Sequence, residues 1–520
     1  MLRNALLAGA VLFGVLVAAR ALFGPLDFPV SIHTPINIES ICGLLLTVVL
    51  LLRAREELSA RPSMAINHWA WTSFLLVLTA AGFWRALGIY FLADDFVLVT
   101  RANAFHLGKV PELLTTAEAS AFFRPIIHLT MALTANWAHF DPRLWRLNAL
   151  ILHAVNSALV FGIASRLSLS RSAALFAGAL FAIHGCLPES VVWIAGWFGT
   201  LSTVFVCCAL YFFLGYLAAE GRQGRWYGIV SFGAMLFALL SKETAYAFPL
   251  IAAFLVWERR VPLRRAMPAL AAFFGGSLVL FGYRWYLLGG IGGYSDLQSG
   301  GPLLMKLSIV PVIRSLLLRL WAVLYFPINW STQPETWLGV LTAAYVAALI
   351  FIAASRGKGP SLLFPAGFVL LAALPPLEQL LIGPDLQKSR ELYLPLAGFC
   401  LLLASASDRL GPRARWIAPA IVIAFNFAAL QHNFSIWQRV GAIAEQTCAA
   451  ASRCSVHGKL SVRDLPGSID GVYFLGVGFP ECIGLQTHTA PPEVELRADG
   501  EKSDLTWNAA SETLHCDAER

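Results

Sequence analysis

Apolar runs long enough to cross a bilayer recur along almost the whole chain. The hydrocarbon core is about 30 Å thick and takes about 20 helical residues to span. Such runs predict thirteen spans, near 5–23, 37–53, 69–90, 144–165, 172–187, 197–218, 226–241, 244–257, 266–288, 338–355, 361–382, 392–407 and 416–431. Several are short, and the two between 226 and 257 are nearly continuous. "VLVAARALFGPLDF" offers only a weak small-residue cleavage site and a second span follows soon, so the first run reads as a retained anchor. From about 440 onward the pattern changes to short alternating runs, "GVYFLGVGF" and "PEVELRA", separated by Pro and Gly. Alternation of that kind predicts strands. The expected fold is therefore an all-α polytopic membrane protein with a small C-terminal β-rich extracytoplasmic module. Its expected parts are two N-terminal membrane helices (1–60), a transmembrane domain with the outer loop 91–143 (61–440), and the module (441–520).

Composition agrees with the pattern. Of 520 residues, 58% are apolar and 13% charged, and the mean hydropathy is +0.67. A soluble chain carries about 25% charge. The net charge of +7 is no nucleic-acid signal, because its Lys and Arg are spread along short loops. Arg53, Arg55 and Arg61, Arg166 and Arg171, Arg222 and Arg225, Arg259 to Arg265, Arg356 and Lys358, and Arg409 to Arg415 fall on alternate loops. The positive-inside rule assigns those loops to the cytoplasm. The N-terminus is then cytoplasmic and the module outside. The segment 308–329 breaks the alternation if it crosses, and Arg314 and Arg319 are costly mid-membrane, so it is expected to lie in the outer interface or to re-enter. The tail holds Cys448, Cys454, Cys482 and Cys516, four of nine cysteines. In an exported segment these predict disulfides, with three pairings open.

Candidate chemistry gathers on the predicted outer side. In "GIYFLADDFVLV", Asp94 and Asp95 adjoin apolar residues on both sides. A central Asp costs roughly 2.5–3.5 kcal/mol in lipid, and the loop count places both acids just beyond the third span instead. Arg124 and Pro125 form a helix start, and 125–139 is expected to be a helix in the interface. His184 and Glu189 lie in the next outer loop, Lys242 and Glu243 in another, and Arg390, Glu391 and Tyr393 at the outer start of the twelfth span. Simpler readings stand beside the functional ones. Lys242 and Glu243 can be a buried ion pair that fixes packing, and Arg390 can snorkel. His153 and Asn156 share one helix face, with Asn148 nearby, and read as interhelical hydrogen-bonding groups. His184 alone does not make a metal site. The aromatic content of 12% fits interface belts.

In order, "ADDF", "FFRPIIHLTMAL", "LWRLNALILHAVNSALV", "AIHGCLPESVVWIAG", "LLSKETAYAFPL" and "SRELYLPLAGF" resemble the GT-C superfamily of integral-membrane glycosyltransferases that use polyprenyl-phosphate sugars. The resemblance covers roughly 90 to 440 and looks closest to the bacterial members and the TMTC-type mannosyltransferase branch. It implies an inverting transfer of a hexosyl or pentosyl group to a hydroxyl at the outer face, with Asp94 or Asp95, Asp94 by position, as catalytic base. Arg124, Lys242 and Arg390 match basic positions and are expected to hold the donor phosphate. His184, Glu189, Glu243 and Tyr393 are the expected substrate contacts. Implied partners are a polyprenyl-phosphate sugar donor, a glycan, lipid or protein acceptor, and membrane lipids, with no nucleic acid. The implied location is the bacterial inner membrane with a periplasmic module. Some members use a divalent cation, Mg or Mn; the sequence does not decide that cofactor. This chain departs from the pattern at Gly185, where relatives often read "HP", and at Trp197 and Gly199, where they often carry Arg and Asp. It also has no tetratricopeptide array. Two rival readings remain: a polysaccharide polymerase or ligase using lipid-diphosphate glycans, and a lipid or solute transporter, although the charges cluster at the outer mouth and not at the midplane.

Overall fold

Each apolar run expected to span is helical over at least part of its length in the computed structural model, which describes residues 2–24, 34–53, 55–56, 68–117, 122–293, 315–354, 358–377, 382–454, 459–497 and 503–516. The helices are α1 (Leu2–Phe23), α2 (Pro35–Arg53), α3 (His68–Phe83), α4 (Asp94–Ala104), α5 (Val110–Thr115), α6 (Pro125–Ala138), α7 (Pro142–Arg166), α8 (Arg171–Ile183), α9 (Pro188–Val191) and α10 (Trp197–Ala218). They continue as α11 (Gly221–Leu239), α12 (Phe248–Glu258), α13 (Leu263–Leu288), α14 (Leu320–Tyr325), α15 (Pro334–Ala354), α16 (Leu363–Ala373), α17 (Tyr393–Ser407), α18 (Ala414–Cys454) and α19 (Phe479–Thr487). Seven of the described helices are long and apolar enough to cross a membrane, and α8, α15 and α16 contain shorter apolar helices. The protein is a multi-pass membrane protein.

Local sequence sets the ends of these helices. Asp141 caps α7 by accepting from the Arg143 N–H at 2.8 Å, with Pro142 in the first turn. Small residues let the helices approach: a Cβ on Gly178 would stand 2.9 Å from both Leu75 and Phe161, so α8 packs closely on α3 and α7. Buried polar groups join helices as expected. His153 Nδ1 lies 2.7 Å from the Tyr393 hydroxyl, and Asn156 Nδ2 donates to that hydroxyl at 3.2 Å and to the Thr200 carbonyl at 2.9 Å. Asn148 donates to Thr134 across α6 and α7.

The segment 308–329 is described only from 315, and Arg314 lies outside the described residues. From Ser315 it forms a π-helical turn and then α14, whose residues Leu320–Leu324 are buried against α2. Arg319 is enclosed by the protein. It is buried and donates to Glu39 Oε2 at 2.8 Å and to the carbonyls of Ile382 and Gly383. A protein counter-ion thus offsets the cost that predicted an interfacial position.

Helix α18 has 41 residues, about 60 Å at 1.5 Å per residue and roughly twice the hydrocarbon thickness. The expected span 416–431 is its first half, and the expected boundary at 440 falls inside it. Its far end carries the C-terminal module. Strand β1 (Arg55–Glu56) pairs with β2 (Lys358–Gly359), joining two basic loops. In the module, β3 (Lys459–Arg463) is parallel to both β6 (Glu493–Arg497) and β7 (Leu505–Asn508), and β7 is antiparallel to β8 (Thr513–Cys516). A small hairpin, β4 (Ser468–Ile469) with β5 (Val472–Tyr473), stands apart from that sheet. The disulfides are Cys448–Cys482 and Cys454–Cys516. Both start on α18, so the helix and the module are covalently joined twice.

Candidate active site

One end of the helices opens into a cleft of about 430 Å³, lined by Asp94, Arg101, Arg124, Trp193, Phe198, Lys242, Glu243, Arg284, Gly292, Arg390, Glu391 and Val477, among others. The basic turns around Arg166, Arg222 and Arg259 follow the opposite ends of the same helices. Short elements between spans supply the cleft: the start of α4, the start of α6, the turn before α10, the 3-10 turn Glu243–Ala247 and the 3-10 turn Ser389–Leu392. Each is a break between apolar runs where a polar residue escapes lipid.

Asp94 and Asp95 face in different directions. They open α4 after Ala93, whose φ is +46°. Asp95 is buried and does not line the cleft. Its carboxylate accepts from Arg146 Nη2 at 2.9 Å, from the Ile194 N–H at 2.7 Å and from the Leu92 N–H at 3.2 Å. Arg146 also donates to the carbonyls of Tyr90 and Val192. Asp95 therefore ties α4 to α7 and to the turn before α10. Asp94 lines the cleft, and its carboxylate has no hydrogen-bond partner among the described residues. Burial raises the Asp94 pKa above the ordinary carboxylate value, and Arg390 opposes that rise.

The cations are held by carboxylates from distant loops. Arg124 donates through Nε and Nη2 to Glu243, the latter at 2.7 Å, and Arg284 Nη2 stands 3.3 Å from the same carboxylate. Lys242 Nζ donates to Glu391 Oε2 at 2.7 Å. Lys242 and Glu243 thus pair outward with other elements, not with each other. Arg390 is paired with Glu189 and stands 3.5 Å from Glu391, with its guanidinium 4.8 Å from the Trp193 ring centre. It is locked in place and does not snorkel. Burial works to raise the pKa of Glu243 and Glu391, but Arg124 and Arg284 for the first, and Lys242 and Arg390 for the second, hold both below the usual value. Burial lowers the Lys242 pKa against the pull of Glu391. Of the three carboxylates in the cleft, Asp94 alone is shifted towards holding a proton.

The cleft brings together Asp94, Arg124, Lys242, Glu243 and Arg390. It does not include Asp95, His184, Glu189 or Tyr393. His184 is buried, with Nε2 2.9 Å from the Leu324 carbonyl oxygen and Nδ1 3.1 Å from Cys186 Sγ, and burial drives its pKa down to about 4. Glu189 lies behind Arg390, also accepting from Ser389 Oγ at 3.1 Å. Tyr393 points into the helix core. Sequence reasoning missed Arg101, Arg284 and Trp193 as cleft residues. Arg101 follows Asp94 by seven positions, two helical turns on one face, a signal that was legible. Arg284 sits near the end of an apolar span and gave none. Its Nε is buried and has no hydrogen-bond partner among the described residues.

Trp197 and Gly199, where the resemblance implies charge, have definite surroundings. Trp197 is buried 5.5 Å from the Trp145 ring. A Cβ at Gly199 would stand 3.8 Å from Lys242 Nζ. An acid there would reach Lys242; in this chain Glu391 takes that place. A divalent cation does not fit the described residues. They contain no group of three His, Cys, Asp or Glu side chains able to hold one, and the cleft's cations surround its carboxylates.

Residues 122–285 match the family model described as dolichyl-phosphate-mannose-protein mannosyltransferase. A comparison with curated proteins gives no match. Among solved structures, the chain is similar to ArnT from Cupriavidus metallidurans in the apo state, with 14% identity over 84% of this chain and 86% of that one and a TM-score of 0.41. It is also similar to the Archaeoglobus fulgidus oligosaccharyltransferase in complex with Zn and sulfate, at 11% identity, 81% and 62% coverage and a TM-score of 0.46. A third is archaeal AglB from Archaeoglobus fulgidus with an inhibitory peptide and a dolichol-phosphate, at 10% identity, 82% and 64% coverage and a TM-score of 0.43. The chain spans less than two thirds of the archaeal protein's length. The matched stretch contains Arg124, Lys242, Glu243 and Arg284, and nothing in it singles out the TMTC branch. The family match over 122–285 agrees with the GT-C resemblance read from the ordered motifs, and it falls on one wall of the cleft.

Proposed function

We propose that the chain is an inverting glycosyltransferase that moves a sugar from a polyprenyl-phosphate carrier to a hydroxyl acceptor at the outer face of the membrane. The observation that carries this reading is the cleft itself, where a carboxylate with no hydrogen-bond partner among the described residues shares the lining with five cationic side chains at one end of the helices. In the reaction, Asp94 accepts the acceptor's hydroxyl proton as the oxygen attacks the anomeric carbon. The bond from that carbon to the phosphate oxygen breaks, and the lipid phosphate leaves with the electron pair. A raised pKa suits a carboxylate that must take a proton. The leaving phosphate gains charge, and Arg124, Lys242, Arg390 and Arg284 stabilise it. Asp95 and Glu189 hold the reacting groups in place. The N-terminus is assigned to the cytoplasm and the module to the periplasm, since the basic loops lie opposite the cleft.

The test is transfer from a labelled polyprenyl-phosphate sugar by the full chain in nanodiscs. Wild-type transfer that disappears in Asp94→Asn supports the reading. Equal transfer by the Asp94→Asn chain removes Asp94 as the base. Transfer only from a polyprenyl-diphosphate oligosaccharide replaces the reading with the polymerase or ligase.

A further inference from the structure

The C-terminal module touches the cleft at both of its reacting sides. Tyr473, on the β4–β5 hairpin, stacks on Trp193 with ring centres 4.7 Å apart and planes inclined by 17°. The Arg390 guanidinium stands 5.3 Å from the Tyr473 ring centre and 4.8 Å from the Trp193 ring centre, so it lies against both members of this aromatic pair. On the opposite side, Gly478 holds a φ of +82°, and a Cβ there would overlap the Ala93 carbonyl oxygen. Ala93 is the left-handed residue immediately before Asp94. A backbone conformation costly for a residue with a side chain is thus clamped by the module. Val477 lines the cleft between these two contacts. Gln486 Nε2 adds a hydrogen bond to the Tyr90 hydroxyl at 3.0 Å.

We infer that the module is a built part of the active site, and that Tyr473 is a positioning residue that holds Arg390 against Trp193, facing Asp94. Glu189 and Glu391 fix the charge of Arg390, but both lie on its membrane-domain side. The aromatic pair supplies the wall that keeps the guanidinium turned to the cleft. The consequence for chemistry runs through Asp94. Arg390 is the cation that opposes the burial-driven rise of its pKa, while Arg101, Arg124, Lys242, Arg284, Glu243 and Glu391 share the same cleft. A guanidinium that swings away leaves Asp94 less stabilised as a carboxylate, and its pKa moves further up.

This inference rests on the proposed transfer reaction, so its test carries a readout that needs no activity. The full chain in nanodiscs is labelled with a water-soluble carbodiimide across a pH series, and modification of Asp94 is followed by peptide mass spectrometry. Tyr473→Ala, with both disulfides verified by mass, is expected to move the labelling midpoint of Asp94 upward. Tyr473→Phe keeps the stack and is expected to restore most of the wild-type midpoint. Transfer kinetics should follow, with kcat falling about tenfold in Tyr473→Ala and the acid limb of its pH profile shifting by the same amount as the label. An Asp94 midpoint in Tyr473→Ala equal to wild type overturns the inference. If the wild-type chain transfers no sugar, the proposed function falls, and the labelling midpoints still decide the role of Tyr473.

Discussion

The carboxylates of Asp94 and Asp95 are neighbours in sequence, and the cost of losing each should be of a different kind. Asp95 accepts three hydrogen bonds and neutralises Arg146, whose side chain is 1% exposed. Asp95→Asn leaves a buried guanidinium unpaired, which costs about 3–5 kcal/mol. It should appear as a large loss of thermal stability or of folded yield. Asp94→Asn should lower the transfer rate by about 10²–10⁴-fold while the thermal midpoint stays at the wild-type value. The pH dependence follows from the direction of the Asp94 shift. The base works ionised, so activity is present above its folded pKa and is lost as pH falls through it. Since burial raises that pKa, the acid limb of kcat should lie above the range of a solvated aspartate. Arg390→Gln should move the limb higher still. Arg284→Gln, which removes a charged hydrogen-bond donor worth about 1.5–3 kcal/mol, should raise KM for the lipid donor by at least about tenfold. Retained donor affinity in that variant would take Arg284 out of the phosphate seat.

Elements decide which of these residues meet. Helix α18 runs into the module, and Cys448–Cys482 fastens α19 back onto it across 34 residues. Gly478, next to that helix, is the residue that presses on Ala93. A Cys448→Ser, Cys482→Ser double variant should lose about 2–4 kcal/mol of module stability, seen as faster proteolysis of the module. Activity should fall in step, although neither cysteine lines the cleft. The helical elements were legible in the sequence because lipid demands a long apolar run for each span. The pairing of the cysteines was not, because four cysteines allow three pairings and only the packing of α19 on α18 selects one. The interhelical roles of His153 and Asn156 were also legible, since a polar residue inside an apolar helix must find a partner across a helix interface. The end of the membrane domain was not. The change of composition near 440 falls within one unbroken helix.

At the scale of the whole molecule, the basic turns and the cleft lie at opposite ends of the helices. A cysteine introduced by Glu512→Cys in the module should react with a membrane-impermeant maleimide from the outer side, and one introduced by Arg222→Cys only after the membrane is opened. Labelling of the module from the cytoplasmic side would reverse the assigned topology and place the cleft with it. The sequence by itself determined the polytopic helical class, the loops on which charge falls, and the set of polar residues gathered at one face, because the burial of charge in lipid is penalised wherever the chain folds. Only the tertiary structure decided the partners within that set. It turned Asp95 inward to Arg146 and left Asp94 in the cleft, set Lys242 on Glu391 and Glu243 between Arg124 and Arg284, withdrew His184, Glu189 and Tyr393 behind the cleft wall, and brought Arg284 and the module's Val477 into it. Ion pairs and packing contacts act over a few ångströms, and the residues that make them here are more than a hundred positions apart in several cases. Their distances are set by how the helices pack, which no local pattern encodes.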